Sequence, residues 1–417
     1  MSESNPSLAE TIIKKATETV VNIFANTDTL SSNLTNGTNE TEKFKATPEG
    51  LFLAYSSLVM MALIPIIVGS FKSVHHQNNQ KESGEEIETM STREAMLFPV
   101  IASVTLFGIY LVFQIFSKEH INLLLAFYFF LLGVVALTRM FSSLLGRFWP
   151  TSLIENETYD LNFTLHSKNS KNETKTLVLV KQLFDRELIV CFLISLAIGV
   201  WYFMKKHWIA NNIFGLAFAV NGIEFLQLNK VLNGCILLGG LFFYDVFWVF
   251  GTNVMVSVAK SFDAPIKLIF PQDLIERGFS AEKYALLGLG DIVIPGIFIA
   301  LLLRFDISLN RNRKTYFYSS FIAYILALFC TIFVMHVFKH AQPALLYIVP
   351  MCLVTPLTVA LIQGDLKNMF SYRDHDEENT NSESPSLNTS NASEGSQSAA
   401  STPQVTPKPT KEAKKTK

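Results

Sequence analysis

Between residues 51 and 362 the chain alternates polar stretches with runs of about twenty apolar residues, the length that crosses roughly 30 Å of hydrocarbon. The runs are Leu51 to Ser70, Met96 to Phe116, Ile121 to Leu145, Leu188 to Met204, Ile209 to Leu228, Gly234 to Val258, Tyr284 to Leu303, Tyr316 to Phe338 and Pro343 to Ile362. They predict an all-α polytopic membrane protein with nine transmembrane helices. The fifth run is interrupted by Asn211, Asn212, Asn221 and Glu224. Such groups must face protein or water and not lipid, so this helix is expected at the centre of a bundle.

The flanks divide the chain into an N-terminal segment over 1–50, a membrane domain over 51–370 and a tail over 371–417. Met1 to Leu30 lacks a basic start followed by a compact apolar core, so the first span is expected to act as the targeting signal. Nine crossings put the two ends on opposite sides. With the N-terminus outside, the inside segments carry the majority of the 34 Lys and Arg, which favours a cytosolic C-terminus, although the Lys205-Lys206 pair opposes it. Glycosylation sequons stand at Asn33, Asn36 and Asn39 before the first span, and at Asn156, Asn162 and Asn172 between the third and fourth. Three crossings separate the groups, so at most one is lumenal. Past Arg373 the composition turns to Ser, Thr, Asn, Glu and Pro, which predicts a disordered tail. It closes Lys414-Lys415-Thr416-Lys417, either a dilysine retrieval signal for the endoplasmic reticulum or a merely solubilising basic end.

Composition agrees with a membrane protein. Hydrophobic residues make up 49% of 417 and charged residues 17%, with 35 Phe, more apolar surface than one soluble core needs. A formal net charge of −1 argues against a nucleic-acid partner. Cys191, Cys235, Cys330 and Cys352 all fall in apolar runs, with no disulfide framework and no zinc spacing, so neither metal nor cofactor is expected.

Two aspartates break the apolar pattern. Asp245 follows Tyr244 inside the sixth run, and Asp291 ends Gly288-Leu289-Gly290-Asp291 in the seventh. A charge at the centre of a membrane helix costs at least about 2.5–3.5 kcal/mol, so an intramembrane acid points to function. Two neighbouring carboxylates do not both ionise. One stays an anion able to deprotonate water, and the other keeps a proton for the oxygen becoming charged in peptide hydrolysis. The soluble aspartic-protease triplet Asp-Thr/Ser-Gly and the zinc motif His-Glu-x-x-His are both absent. The glycines permit close backbone approach and unusual dihedrals beside Asp291.

Tyr244-Asp245, Gly288-Leu289-Gly290-Asp291 and Gln342-Pro343-Ala344-Leu345 resemble the ordered motifs of the signal peptide peptidases, GxGD intramembrane aspartyl proteases related to presenilin. Lys206 to Asn212 and Phe247 to Thr252 resemble that branch more than its lysosomal and Golgi-type relatives. The likeness covers roughly 51–372. It implies a presenilin-like bundle with Asp245 and Asp291 as the catalytic pair, and a substrate-binding surface formed by Tyr244, Gly288, Leu289, Gly290, Pro343, Ala344 and Leu345. It further implies an endoplasmic-reticulum protein with a lumenal N-terminus, glycosylated at Asn33, Asn36 and Asn39. Its substrates would be remnant signal peptides and tail-anchored or type II segments, and its partners membrane lipid, further copies of itself and quality-control complexes. Proline at 343 would start a helix and free a carbonyl for a substrate backbone.

Other readings stand beside this one. Paired intramembrane acids also serve transporters and ion channels, though no internal repeat links the two halves. A non-catalytic chaperone could hold helices in the same groove. Glu224 is expected to pair with a buried Asn or with Arg139, and Tyr244 to be a core aromatic or a donor to one of the carboxylates. His336 and His340 read as interfacial, and Arg304 and Asp306 as marking the water boundary. The segment Ile266 to Phe270 is suited to holding an unwound substrate by strand pairing.

Overall fold

Long apolar runs form long helices in the computed structural model, which describes residues 47–83, 89–145, 158–168, 174–262, 264–278, 283–311, 313–338 and 342–374. The helices are α1 (Pro48–Ser83), α2 (Thr92–Ile115), α3 (Lys118–Leu145), α4 (Arg186–Lys205), α5 (Trp208–Phe225), α6 (Val231–Phe250), α7 (Val254–Ser261), α8 (Leu274–Arg277), α9 (Gly290–Ser308), α10 (Thr315–Phe338), α11 (Leu345–Gln363) and α12 (Leu366–Ser371). Their ends follow local chemistry. Ser91 opens α2 with a reciprocal cap, its hydroxyl accepting from Glu94 N while its own N–H donates to the Glu94 carboxylate. Gly364 closes α11 in the left-handed conformation that a Cβ disfavours.

Among the described residues, α1, α2, α3, α4, α6, α10 and α11 are long and apolar enough to cross a membrane. Helices α5 and α9 are comparable in length but carry Asn211, Asn212, Asn221 and Glu224 in one and Asp291, Arg304 and Asp306 in the other. These polar helices are the innermost. Helix α9 is buried without a break from Pro295 to Asp306 and packs against α1, α5, α6, α10 and α11. In α5, Asn221 Nδ2 donates to the Ala136 carbonyl of α3 at 3.0 Å, which satisfies an amide that lipid would leave unpaired. Small residues allow the tight contacts: a Cβ on Gly69 of α1 or Gly296 of α9 would meet Ile223 of α5 at 2.8 or 2.5 Å.

The architecture is that of a polytopic all-α membrane protein, and three two-stranded sheets punctuate its helices. Strand β1 (Thr89–Met90) runs parallel to β4 (Gln227–Leu228). Strands β2 (Thr158–Lys168) and β3 (Thr174–Asp185) form an antiparallel hairpin leading directly into α4, with a register shift between Phe163 and Thr164. Strands β5 (Lys267–Pro271) and β6 (Tyr284–Gly288) are antiparallel. Two expected spans are therefore divided. The run from Gly234 to Val258 breaks at Gly251 into α6 and α7, and the run from Tyr284 to Leu303 begins as β6 and becomes α9 only at Gly290.

Charged residues expected at the water boundary are in fact buried. Arg304 is 3% exposed and bonds Asp374 (Nε to Oδ2, 2.7 Å), Ser73 Oγ (2.6 Å) and the Leu228 carbonyl (3.4 Å). Asp374 also accepts from the Tyr372 hydroxyl, so the segment after α12 is strapped onto α1, α9 and the α5–α6 turn. Asp306 accepts the Tyr316 and Phe317 N–H groups at 3.2 and 2.7 Å, supplying partners that the start of α10 lacks. Nearby, a hydrogen bond from Arg311 holds the Asp365 carboxyl below its usual range. Glu224 pairs with Lys72 at 2.9 Å, not with an Asn or with Arg139, whose guanidinium instead lies 4.6 Å from the Phe225 ring centre. His340, Asn33, Asn36, Asn39, Asn156, Asn172 and the chain from 375 onward lie outside the described residues.

Candidate active site

Three helix ends meet at the opposite end of the bundle from the Arg304 cluster. Asp245 is buried in the penultimate turn of α6, and Asp291 stands in the first turn of α9. The two helices that carry them pack against each other. Helix α11 starts at Leu345, whose N–H has no acceptor within its own helix and donates to Asp245 Oδ2 at 3.0 Å. The first carboxylate thus caps the helix that follows Pro343 and Ala344, where the backbone dipoles favour negative charge.

The glycines before Asp291 play unequal parts. A Cβ on Gly288 would come within 3.2 Å of Asp291 Oδ2, whereas one on Gly290 would meet nothing within 4 Å. Neither has a positive φ, so what they provide is space and not unusual dihedrals. Gly288 makes room for the carboxylate, and the space over Gly290 is open. Leu289 caps α9 and donates its N–H to the Ile266 carbonyl at 2.9 Å, which ties the turn before Asp291 to the β5–β6 sheet.

That sheet overturns one expectation about strand pairing. One edge of β5 is closed by α5: Asn212 Nδ2 donates to Ile269 O at 2.6 Å, Ile269 N donates to Asn212 Oδ1 at 2.9 Å, and Asn211 Nδ2 donates to Lys267 O at 2.8 Å. The other edge pairs with β6, Leu268 opposite Leu287 and Phe270 opposite Ala285. Since successive residues of a strand direct their N–H and C=O to alternate edges, Leu286 and Gly288 turn theirs away from β5. The adjacent asparagines were visible in the sequence as breaks in an apolar run, but nothing there named their partner.

The remaining expected residues fall as follows. Pro343 is buried, and its own carbonyl accepts from Leu346 N at 3.3 Å inside the first turn of α11. Tyr244 packs between the main core and a second apolar cluster around Trp248 and Phe262, and among the described residues its hydroxyl bonds neither carboxylate. A residue missed in the sequence, Tyr324 of α10, is fully buried and donates its hydroxyl to the Asp291 carbonyl at 3.3 Å. Among the described residues no group of three or more His, Cys, Asp or Glu is placed to hold a metal ion, and the four cysteines are free.

A pair of carboxylates, the buried one held by a backbone N–H, beside a sheet edge, is chemically suited to activating water against a peptide carbonyl. A sequence profile described as signal peptide peptidase matches residues 82–376. The chain belongs to the signal peptide peptidase family. Its similarity to the signal peptide peptidase of Mus musculus is 55% identity over 363 residues, covering 87% of this chain and 93% of the relative. The Homo sapiens protein of that name is also 55% identical, over 364 residues, with the same coverage. A probable intramembrane protease of Schizosaccharomyces pombe is 36% identical over 339 residues, 80% of this chain and 97% of the relative. This member of the signal peptide peptidase family is therefore a multi-pass membrane protein and an intramembrane-cleaving aspartic peptidase, which sets the transporter reading aside.

Proposed function

We propose that Asp245 and Asp291 are the catalytic pair with which this peptidase hydrolyses peptide bonds inside transmembrane segments. The observation that carries the reading is the Leu345 N–H bond to Asp245 where α6 and α11 pack against α9, the helix that carries Asp291 in its first turn. A backbone N–H bonded to a carboxylate favours its charged form, so Asp245 serves as the anion and Asp291 keeps the shared proton. Asp245 takes a proton from water as the water oxygen attacks the scissile carbonyl carbon, while Asp291 donates to the carbonyl oxygen. As the resulting diol collapses, one of its hydroxyls returns a proton to Asp291, the C–N bond breaks, and the proton held by Asp245 passes to the leaving amine.

A helical substrate hides its carbonyls, so it must unwind before attack, and in hydrocarbon its freed backbone groups need partners. The outer edge of β6 supplies them: Leu286 is 54% exposed and Gly288 lies three residues from Asp291. Residues 51–370 form the membrane domain in this reading, with α5 and α9 joining the seven apolar helices to give nine crossings. The N-terminus is lumenal and the C-terminus cytosolic, in the endoplasmic reticulum. The names of the mouse and human relatives favour remnant signal peptides as substrates, with tail-anchored and type II segments sharing their helical form.

Asp245→Asn and Asp291→Asn test the assignment, because Asn nearly matches the shape but cannot cycle a proton. Each purified variant, inserted and expressed like the parent, is expected to lose cleavage of a labelled type II signal-anchor peptide in detergent. Either variant cleaving at close to the parent rate would remove that aspartate from the mechanism.

A further inference from the structure

Prolines inside helices leave a defect with a fixed address. Proline at position i has no N–H for the carbonyl of residue i−4, and its ring pushes against that carbonyl. Pro295 of α9 therefore strips the helix partner from the carbonyl of Asp291, and Pro356 of α11 does the same to the carbonyl of Cys352. The Cys352 carbonyl is buried and the Asp291 carbonyl part-buried, and an acceptor left unpaired in such surroundings is unfavourable.

Helix α10 answers both. Tyr324 donates its hydroxyl to the Asp291 carbonyl at 3.3 Å, and Ser320 donates its own to the Cys352 carbonyl at 3.5 Å. The two side chains are four residues apart and share one face of α10, and both are fully buried. The ordinary habit of a helical hydroxyl is to bond back to its own helix, as Thr331 of α10 does to Ala327 O and Thr138 of α3 to Val134 O. Ser320 and Tyr324 instead reach out to neighbouring helices, each to the carbonyl that a proline has orphaned. Helix α9 carries Asp291, and α11 begins with the N–H that holds Asp245.

We infer that Tyr324, seconded by Ser320, is a positioning residue whose hydroxyl replaces the backbone N–H missing at Pro295 and so fixes the peptide of Asp291 relative to Asp245. The inference rests on the catalytic reading of Asp291. Tyr324 touches neither the carboxylate nor substrate through this bond; it acts through the backbone. The polar face of α10 is thereby the strut against which both active-site helices are set.

The test is a double-substitution cycle, because Pro295→Ala restores an N–H at the position where the Tyr324 hydroxyl acts. In the parent background, Tyr324→Phe is expected to lower kcat about tenfold, ~1.4 kcal/mol, with KM changed less than about twofold. In the Pro295→Ala background, the same Tyr324→Phe change is expected to lower kcat less than about twofold, since the restored backbone N–H now serves the Asp291 carbonyl. An equal loss in both backgrounds, or no loss in the parent, overturns the inference. Ser320→Ala with and without Pro356→Ala gives a second cycle with the same expected pattern, and equal losses there remove Ser320 from the scheme. Thermal midpoints in detergent are measured for every member of the Tyr324 cycle and are expected to show the same coupling, without reference to turnover. If Asp291→Asn proves active, the catalytic reading fails, and coupled midpoints still show the hydroxyl standing in for the missing N–H while uncoupled ones refute it.

Discussion

Asp291 shows how a single missing side chain makes room for the carboxylate proposed to react. Its Oδ2 lies where a Cβ on Gly288 would intrude at 3.2 Å, while the space over Gly290 is open. Gly288→Ala is expected to push the carboxylate aside and lower kcat on the order of a hundredfold, the loss typical of an ångström-scale displacement of a catalytic group. Gly290→Ala is expected to act on KM, since its methyl meets only an incoming chain. Steady-state kinetics on both variants check this, and Gly288→Ala with parent kcat would refute the packing argument. The sequence displayed both glycines and both aspartates as breaks in apolar runs. It did not distinguish the roles of the glycines, because those depend on where the carboxylate turns in three dimensions.

Among the elements, β5 and β6 were the hardest to read in advance. Leu268, Ile269 and Phe270, like Ala285, Leu286 and Leu287, are apolar enough to continue a membrane helix, and the run from Tyr284 merged smoothly into α9. What makes them strands is pairing at long range and the clamp of Asn211 and Asn212 on Lys267 and Ile269. Because Leu286 directs its N–H away from β5, Leu286→Pro removes a donor from the outer edge of β6 and leaves the β5 pairing intact. With each main-chain bond worth about 1 kcal/mol net, it is expected to lower kcat/KM about fivefold with a near-parent melting temperature. Unchanged kcat/KM for the variant would mean that substrate does not join this edge.

At the scale of the whole molecule, orientation follows from which sequon group is glycosylated. Helices α1, α2 and α3 lie between Asn39 and Asn156, so the two groups face opposite sides when each helix crosses once. Glycosidase treatment is expected to remove mass from the native protein, and joint replacement of Asn33, Asn36 and Asn39 to abolish that shift. A shift that depends instead on Asn156, Asn162 or Asn172 would invert the topology and turn the carboxylate end toward the cytosol. The strap formed by residues 372–374 belongs to this scale too. Arg304, Ser73, Leu228, Tyr372 and Asp374 come from four separate stretches of sequence, and only their meeting makes a buried charge tolerable.

The chain's own order of apolar and polar residues was sufficient to determine a membrane bundle, the interior place of the Asn-rich α5, and the motifs on which family membership rests. Those features are local: hydrocarbon thickness fixes the length of a run, and an acid or amide within one must face protein or water. Tertiary structure alone decided which groups satisfy the exceptions. Lys72 and not Arg139 meets Glu224, Asp374 meets Arg304, Asn212 meets a strand, Leu345 N–H meets Asp245, and a hydroxyl of α10 meets the carbonyl orphaned by Pro295. Each pairing joins residues distant in sequence, and the need for a partner is written at one position while its identity depends on how the helices pack.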